Sequence, residues 1–231
     1  MARVFDLHVH TTRGSSDSNL SPEQMVQEAE RLGLRGLCVT EHSGPWDRHE
    51  FEAFALDRNL VLIRAMEADT DMGHVLAFGI DQYLPGMERA EEIRREVDRV
   101  GGFMITAHPF RGLHNPRPVA RPLLYKSSDE LPSTVEEASA HPVFRLANAV
   151  EVANGGTVDS ENRFAAQVAE HIGMHCTGGS DAHSVNGLGR YVTVFPDEIN
   201  SEAEFLKALR LGKYYPATGL STGNLVPFTP E

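Results

Sequence analysis

The sequence has little of what would set a protein apart from an ordinary globular domain. It has only two cysteines, Cys38 and Cys176. Each lies in a short apolar run, so we interpret both as small buried residues rather than as a disulfide. No apolar run reaches the roughly 18 residues that a membrane span needs, and residues 1–6 lead into a charged segment rather than a signal peptide. We therefore expect a soluble, cytoplasmic protein without a membrane partner.

Basic residues are also scarce. The chain has 21 Lys and Arg against 33 Asp and Glu, which gives a formal net charge of −12 at pH 7. Broad binding to nucleic acid needs surplus cations that neutralise phosphates, so we expect no long nucleic acid as a partner. This expectation concerns the average surface, because metal ions held by a cluster of carboxylates would reverse the sign of the local field.

Strand-like and helix-like segments alternate along the chain, which predicts an α/β fold. With 231 residues, 41% of them hydrophobic, the chain suits a single domain over 1–231. Strands are predicted at 3–9, 35–41, 60–67, 74–80, 103–107, 148–152, 175–179 and 190–195. Helices are predicted at about 22–32, 51–56, 88–100, 159–172 and 201–211. Roughly seven strands with helices between them favour a closed or nearly closed barrel over an open sheet.

Prolines interrupt one long stretch of the sequence. Six of them lie between residues 109 and 142, which excludes a single long helix there. We predict a proline-rich loop insertion at about 109–142 that lies over a site, with one short helix near 133–140.

Histidines and carboxylates follow the predicted strands where the strands end. They are His8 and His10, Glu41 and His42, Glu67, His108, and Asp181 and His183. The carboxyl ends of parallel strands meet on one face of a barrel, where active sites are built. Taken alone, a His-x-His motif is as compatible with a surface or core pair as with a pair of ligands. An isolated Glu-His or Asp-x-His is more often a feature of a loop. Together they predict a metal centre, because burying so many ionisable groups is costly unless they bind metal or pair with one another.

The same motifs resemble those of a known family. The stretches Asp6–Thr11, Val39–His42, Glu67, Ala107–Pro109 and Gly179–His183 are similar, in order, to the successive motifs of the PHP family, named for polymerase and histidinol phosphatase. The resemblance implies a distorted (β/α)7 TIM-like barrel, a metal cluster and hydrolysis of a phosphate ester. Composition and spacing alone do not give the seven-fold count.

The resemblance also implies a set of metal ligands. They are His8, His10, Glu67 and Asp181 for a first ion, Glu67 and His108 for a second, and Asp17, His42 and His183 for a third. We add His74 to the second ion, because it begins a strand soon after Glu67. Mixed histidine and carboxylate ligands suit Mn, Fe or Zn better than Ca, so we expect two or three such divalent ions.

Three further roles are predicted near these ligands. Arg111, three residues after His108, is similar to a basic position that binds phosphate in related enzymes, although an Arg in a proline-rich loop is otherwise simply solvated. His42 or His183 is a candidate general acid for the leaving oxygen. Glu151 ends a strand and either faces the pocket or supports it by hydrogen bonding. The remaining histidines, at 49, 114, 141, 171 and 175, have no motif support.

Three functional classes follow. The leading one is a phosphoesterase that hydrolyses a small-molecule phosphate ester of the nucleotide, sugar phosphate or histidinol phosphate type by metal-activated water. It is favoured because the sequence shows no polymerase or exonuclease partner domain. The alternative is a phosphodiesterase or exonuclease that acts on short oligonucleotides. The third class, a non-catalytic module stabilised by metal, is disfavoured because the ligand set is nearly complete.

Overall fold

The computed structural model describes residues 3–113, 123–125 and 131–231, and this part of the chain forms one ten-stranded mixed sheet with seven α-helices. The strands are β1 (Arg3–Val9), β2 (Gly36–Glu41), β3 (Val61–Thr70), β4 (Gly73–Phe78), β5 (Phe103–Thr106), β6 (Ala149–Asn154), β7 (His175–Gly179), β8 (Tyr191–Phe195), β9 (Tyr215–Thr218) and β10 (Val226–Pro227). The helices are α1 (Pro22–Leu32), α2 (Arg48–Ala55), α3 (Ala90–Val100), α4 (Val135–Ser139), α5 (Val143–Leu146), α6 (Asp159–His171) and α7 (Glu202–Leu211).

The strands follow the order β10-β9-β8-β1-β2-β3-β4-β5-β6-β7 across the sheet. The pairs β1/β2, β2/β3, β5/β6 and β6/β7 are parallel, whereas β4 is antiparallel to both β3 and β5. Strands β1, β2, β3, β5, β6 and β7 therefore all point the same way. Their carboxyl ends lie along one edge, which we call the carboxyl edge.

The sheet curls so that the segment after β7 returns to β1. The backbone N–H of Asp181 donates to the carbonyl of His8 at 2.7 Å, and that of His10 donates to the carbonyl of Ala182 at 3.0 Å. The buried carboxylate of Asp6 adds two contacts, because it accepts the N–H of Ser180 at 2.8 Å and of Gly189 at 2.9 Å. These bonds bring the first and last of the parallel strands together at the carboxyl edge.

The predicted α/β class is confirmed. The sheet is curled, but it is not a clear barrel of seven βα units. Strand β4 follows β3 after only two residues, Asp71 and Met72. A connection this short joins antiparallel strands, since a parallel crossover needs a dozen residues or more. Strand β3 also continues to Thr70, beyond the end that the sequence predicts. Strands β8, β9 and β10 extend the sheet antiparallel beside β1.

The predicted helix starts follow from their capping residues. The Ser21 side chain accepts the N–H of Gln24, whose side chain bonds back to Ser21 in a capping box, and Gly33 ends α1 with φ of 73°. Ser201 caps α7 through the N–H of Glu204. Helix α4 corresponds to the short helix predicted near 133–140. The proline-rich insertion stays a prediction, because residues 114–122 and 126–130 lie outside the described ones.

Aromatic residues fix the sheet against α7 on the side away from the carboxyl edge. Phe5 of β1 stacks on Phe205 of α7 with ring centroids 5.8 Å apart, and meets Phe195 edge to face at 5.5 Å. All three side chains are fully buried. This core holds the start of β1 in place, and thereby the histidines at its end. Within the described residues, no helix is both long enough and apolar enough to cross a membrane.

Candidate metal centre

Histidines and carboxylates from six strands and loops converge at the carboxyl edge. We call six of them the deep group: His8, His10, Glu67, His74, His108 and Asp181. Five of these are buried and His74 is partly buried. Three others form the rim group: Asp17, His42 and His183. Their side chains are more open, with 58% of Asp17, 33% of His42 and 30% of His183 exposed.

One half of the deep group surrounds a point between two carboxylates. The Nε2 atoms of His8 and His10 each lie 3.1 Å from Oε2 of Glu67. The same two nitrogens lie 3.5 and 3.2 Å from Oδ1 of Asp181. His8 lies on β1 and His10 directly follows its last residue, so the two side chains, two residues apart along extended backbone, project to the same side of the sheet.

The other half of the deep group meets the second oxygen of Glu67. Oε1 of Glu67 lies 2.8 Å from Nδ1 of His74 and 2.8 Å from Nε2 of His108. His74 reaches this point because it lies at the start of an antiparallel strand, directly opposite Asp69 on β3. The start of β4 therefore lies at the same edge as the ends of its neighbours. One carboxylate thus stands between two sets of histidines, which is the arrangement of a bridging ligand.

The rim group lies beside the first half. Oδ2 of Asp17 is 3.3 Å from Nε2 of His183 and 3.6 Å from Nε2 of His42. Both imidazole rings stack on the ring of His10 with centroids 4.4 Å away. Nδ1 of His183 lies 2.9 Å from the backbone carbonyl oxygen of Asp181. Because a carbonyl oxygen only accepts, Nδ1 carries the proton of the neutral ring, and Nε2 keeps the lone pair with which it could bind a metal.

The deep group has the chemistry of a metal site. Nε2 of His8 and Nε2 of His10 are buried and have no hydrogen-bond partner, although each faces two carboxylate oxygens. Leaving buried polar atoms without a partner costs free energy, and a cation between the nitrogens and the carboxylates would satisfy both. Imidazole and carboxylate ligands together suit transition metals. The residues present therefore fit divalent metal ions.

Glu67, Asp181 and His108 have the charges that metal ligands need. Burial lowers the pKa of His8 and His10, but the neighbouring carboxylates raise it above its usual range, so a metal ion at their Nε2 atoms would replace a proton. Burial raises the pKa of Glu67, but the neighbouring histidines, first His8 and then His10, His108 and His74, lower it well below its usual range. Burial likewise opposes a strong lowering of the pKa of Asp181 by His8, His10 and Arg111. Burial lowers the pKa of His108 to about 4, and Arg111 adds to this effect. The carboxylates are thus ionised and His108 is neutral near pH 7.

Two residues of the deep group have unusual backbone conformations. His108 has φ of 29° and Asp181 has φ of 53°, in a region that residues other than glycine rarely adopt. Each lies two residues after the end of a strand, and its backbone N–H is hydrogen-bonded, that of His108 to Glu151 and that of Asp181 to the carbonyl of His8. Local strain of this kind is found mainly at functional sites, where the surrounding structure imposes it.

Glu151 of β6 forms hydrogen bonds with two residues of the deep group, His8 and His108. Its Oε1 lies 2.9 Å from Nδ1 of His8, and its Oε2 accepts the N–H of His108 at 3.0 Å and the side-chain amide of Asn154 at 2.9 Å. The glycine at 179 makes this packing possible, because a Cβ there would lie 2.5 Å from Cβ of His8 and 2.7 Å from Oε1 of Glu151. Both roles considered for Glu151 have an observation behind them: these hydrogen bonds support the deep group, and Glu151 also forms with His8 and His108 a buried trio that could hold a metal ion.

Arg111 reaches the edge of the deep group and is 29% exposed. Its guanidinium pairs with Oδ2 of Asp181, donates to Oδ1 of Asn154 at 2.8 Å and donates to Oγ1 of Thr157 at 3.1 Å. Sequence reasoning missed Asn154 and Thr157, although Asn154 ends β6 at the carboxyl edge and offered the same signal as the other strand-end residues. His49, His141, His171 and His175 take no part in the two groups. His114 lies outside the described residues.

Two models of known protein families match the chain. The family model described as PHP domain matches residues 6–140, more than half of the chain, and the model described as PHP-associated matches residues 159–214. The resemblance drawn from the motifs is therefore confirmed. The motif at Gly179–His183 falls within the second match.

Individual proteins are similar over different parts of the chain. A 5'-3' exoribonuclease of Haemophilus influenzae is 27% identical over 117 residues, which cover 44% of this chain and 42% of that protein. A two-domain protein of Bacteroides vulgatus, described as containing a predicted PHP-like metal-dependent phosphoesterase, superposes with a TM-score of 0.65 at 22% identity, covering 94% of this chain and 64% of the other. Endonuclease Q, in complex with a 27-mer duplex substrate with an abasic lesion, superposes with a TM-score of 0.59 at 18% identity, covering 91% and 57%.

This chain thus spans less than two thirds of the length of each of these three proteins. Both solved structures have identities under a quarter, so they establish the likeness of fold alone. Two of the three are nucleases by name. These similar proteins therefore give no support to the expectation that long nucleic acid is excluded as a partner of this chain.

Proposed function

The chain belongs to the PHP family, and we propose that it is a metal-dependent phosphoesterase. The observation that carries this proposal is the Glu67 carboxylate, whose two oxygens each face two histidines at distances of 2.8 to 3.1 Å. His8, His10 and Asp181 would hold one ion with Glu67, while His74 and His108 would hold the other. Asp17, His42 and His183 would hold a third.

Divalent ions bound there would supply Lewis-acid charge that activates water for attack and stabilises the oxygens of the phosphoryl group. The ligand set suits Mn, Fe or Zn. Arg111 would bind a phosphate oxygen through its exposed guanidinium edge, since Asp181, Asn154 and Thr157 fix its position. His42 or His183, both open at the rim, would give a proton to the leaving oxygen.

A small-molecule phosphate ester is the substrate class that we propose. One acidic side chain beside the metal centre, Asp69, is 83% exposed and belongs to none of the proposed ligand sets. It would repel a long polyanion but leave a single phosphate free to approach the metals. The net charge of −12 acts in the same direction. Nucleotides, sugar phosphates and histidinol phosphate all meet this description.

A nuclease or phosphodiesterase acting on short oligonucleotides is the second candidate. The similarity to an exoribonuclease and to endonuclease Q favours it, and a short strand needs only the pocket rather than a basic surface.

We further propose a single, distorted (β/α)7 TIM-like domain over 1–231, with β8 to β10 added at its side, and a cytoplasmic location.

Two measurements test the proposal. Elemental analysis of protein purified without chelator should find at least two transition-metal ions per chain. Fewer than one ion, even after Mn²⁺ or Zn²⁺ is supplied, would remove the metal centre. A hydrolysis screen with Mn²⁺ should then show faster turnover of phosphomonoesters than of phosphodiesters and short oligonucleotides. The reverse order would support the second candidate, and turnover of none would support a non-catalytic module.

A further inference from the structure

A buried carboxylate next to the metal centre has no role in the proposed chemistry. Glu41 ends β2 and is fully buried. Its carboxylate accepts the N–H of Thr11 at 3.0 Å, the hydroxyl of Ser15 at 2.6 Å and the indole N–H of Trp46 at 2.9 Å. The Thr11 hydroxyl also donates to it. None of these donors belongs to the deep group or to the rim group.

Ser15 connects this carboxylate to a metal ligand. Its Oγ lies 2.6 Å from Oε2 of Glu41, 3.1 Å from Nδ1 of His10, and accepts the backbone N–H of His42 at 3.2 Å. A hydroxyl has one proton, and a carboxylate can only accept one, so Ser15 gives its proton to the hydrogen bond with Glu41. Nδ1 of His10 must then be the donor in its own bond to Ser15.

This order of donors determines the tautomer of His10. With the proton on Nδ1, Nε2 keeps its lone pair and faces Glu67 and Asp181 at 3.1 and 3.2 Å. His8 has the same arrangement in a shorter form, because Glu151 accepts directly from its Nδ1. Such outer partners fix the ring orientation of metal-bound histidines and raise their basicity.

We propose that Glu41, acting through Ser15, is a positioning residue that holds His10 in the tautomer and orientation that bind metal. The inference rests on the proposed metal centre. The loop is built for this contact, because a Cβ on Gly14 would lie 2.6 Å from Cβ and 2.7 Å from Cγ of Glu41. Glycine at this position lets the loop approach Glu41 closely enough for Ser15 to bond to it.

The test compares two serines of the same loop. Ser15→Ala removes the link to the His10 ring. Ser18→Ala is the matched control, since Ser18 is also buried and donates to the backbone carbonyls of His10 at 2.9 Å and His183 at 3.4 Å, but makes no hydrogen bond to the ring of His10. Zn²⁺ affinity is measured by chelator competition. Slowly exchanging imidazole N–H protons are counted by NMR of the Zn²⁺-loaded protein with ¹⁵N-labelled histidine.

Ser15→Ala should weaken Zn²⁺ binding by about 10- to 100-fold, the effect of losing an outer partner. It should also lose one slowly exchanging ring proton while the ring proton of His8 persists. Ser18→Ala should keep both protons and bind Zn²⁺ with nearly wild-type affinity. Should Ser15→Ala fail to fold, the isosteric Glu41→Gln takes its place with the same expected losses, and Ser15→Thr, which keeps the hydroxyl, should retain the ring proton.

The proposed action of Glu41 through Ser15, which we call the relay, is overturned by one result. In it, the wild-type protein binds Zn²⁺, and Ser15→Ala has the same Zn²⁺ affinity and the same number of slowly exchanging ring protons. Equal losses in Ser15→Ala and Ser18→Ala would also overturn it, because the effect would then be that of a disturbed loop. If the wild-type chain binds no Zn²⁺, the proposed metal centre itself fails, and the relay fails with it. The two failures are therefore distinguishable.

Discussion

The deep group and the rim group are built from the same residue types but in different surroundings. In the deep group, Glu67 has four histidine nitrogens within 3.1 Å, and its side chain is 2% exposed. In the rim group, Asp17 has two histidine nitrogens at 3.3 and 3.6 Å, and its side chain is 58% exposed. Burial and hydrogen-bond partners such as Glu151 hold the side chains of the deep group in place.

The difference has a thermodynamic consequence. Preformed ligands lose little conformational freedom on binding an ion, whereas exposed ones must be ordered and are screened by water. We therefore expect the deep group to bind its ions tightly and the rim group to bind its ion weakly. The rim is also where a substrate enters, so a weaker ion there is close to the phosphate it would position. Each of the following variants tests one side of this contrast.

The largest effect is expected for Glu67→Ala. One carboxylate faces both halves of the deep group, so its removal should lose both ions, and turnover should fall by about 1,000-fold or more because several kcal/mol of charge stabilisation are lost. Metal analysis and kinetics of the folded variant measure this. Glu67→Gln, which keeps the volume, should show the same metal loss. Retention of two ions in either variant would rule out a bridging role.

Asp17→Ala should have the next largest effect. It should bind about one ion fewer and lose most of its activity, on the order of 100-fold, without unfolding, because an exposed carboxylate contributes little to stability. Metal stoichiometry, thermal midpoint and turnover are compared. Asp69→Ala is the matched control, since Asp69 is also exposed but has a single histidine nitrogen, at 3.8 Å. Full activity and metal content in Asp17→Ala would replace the three-ion arrangement with a two-ion site.

Arg111→Ala should affect substrate more than metal. It should lower kcat/KM by about 10- to 100-fold, the scale of one charge-assisted contact, while the metal content stays near wild type. Arg111→Lys keeps the charge but not the fork, and should recover part of the loss. Because Arg111 also pairs with Asp181, metal loss in Arg111→Ala would instead make it a support for that ligand. Unchanged kinetics would remove Arg111 from the site.

Much of the site could be predicted from the sequence, because strand-end positions are visible in the alternation of apolar and polar residues. His8, His10 and Glu67 belong to this kind. His74 was harder, since it lies at the start of a strand, and only an antiparallel direction brings it to the carboxyl edge. The six residues between the predicted strands at 60–67 and 74–80 are already too few for a parallel crossover, which needs a dozen or more.

The supporting contacts could not be predicted in the same way. The bonds of Glu41 and Glu151 depend on which way a buried side chain turns, and a single sequence does not specify this. Ser15 gave no signal, because a serine in a loop is ordinarily a turn residue. Strands β9 and β10 were also missed, since they are only four and two residues long. Short strands have too few positions for a pattern to emerge.

The smallest effect is expected for Glu50→Gln, and it tests where the rim ends. Glu50 is a half-exposed carboxylate paired with Arg13, beside a cavity of about 330 Å³ that Ser43 and Trp46 also line. It lacks the histidine partners that distinguish the rim group. Exposed pairs of this kind contribute about 0 to 1 kcal/mol, so stability should hardly change. Metal content and turnover should match wild type in parallel assays. A lost ion would extend the metal centre to α2, and a raised KM alone would mean that substrate occupies this cavity.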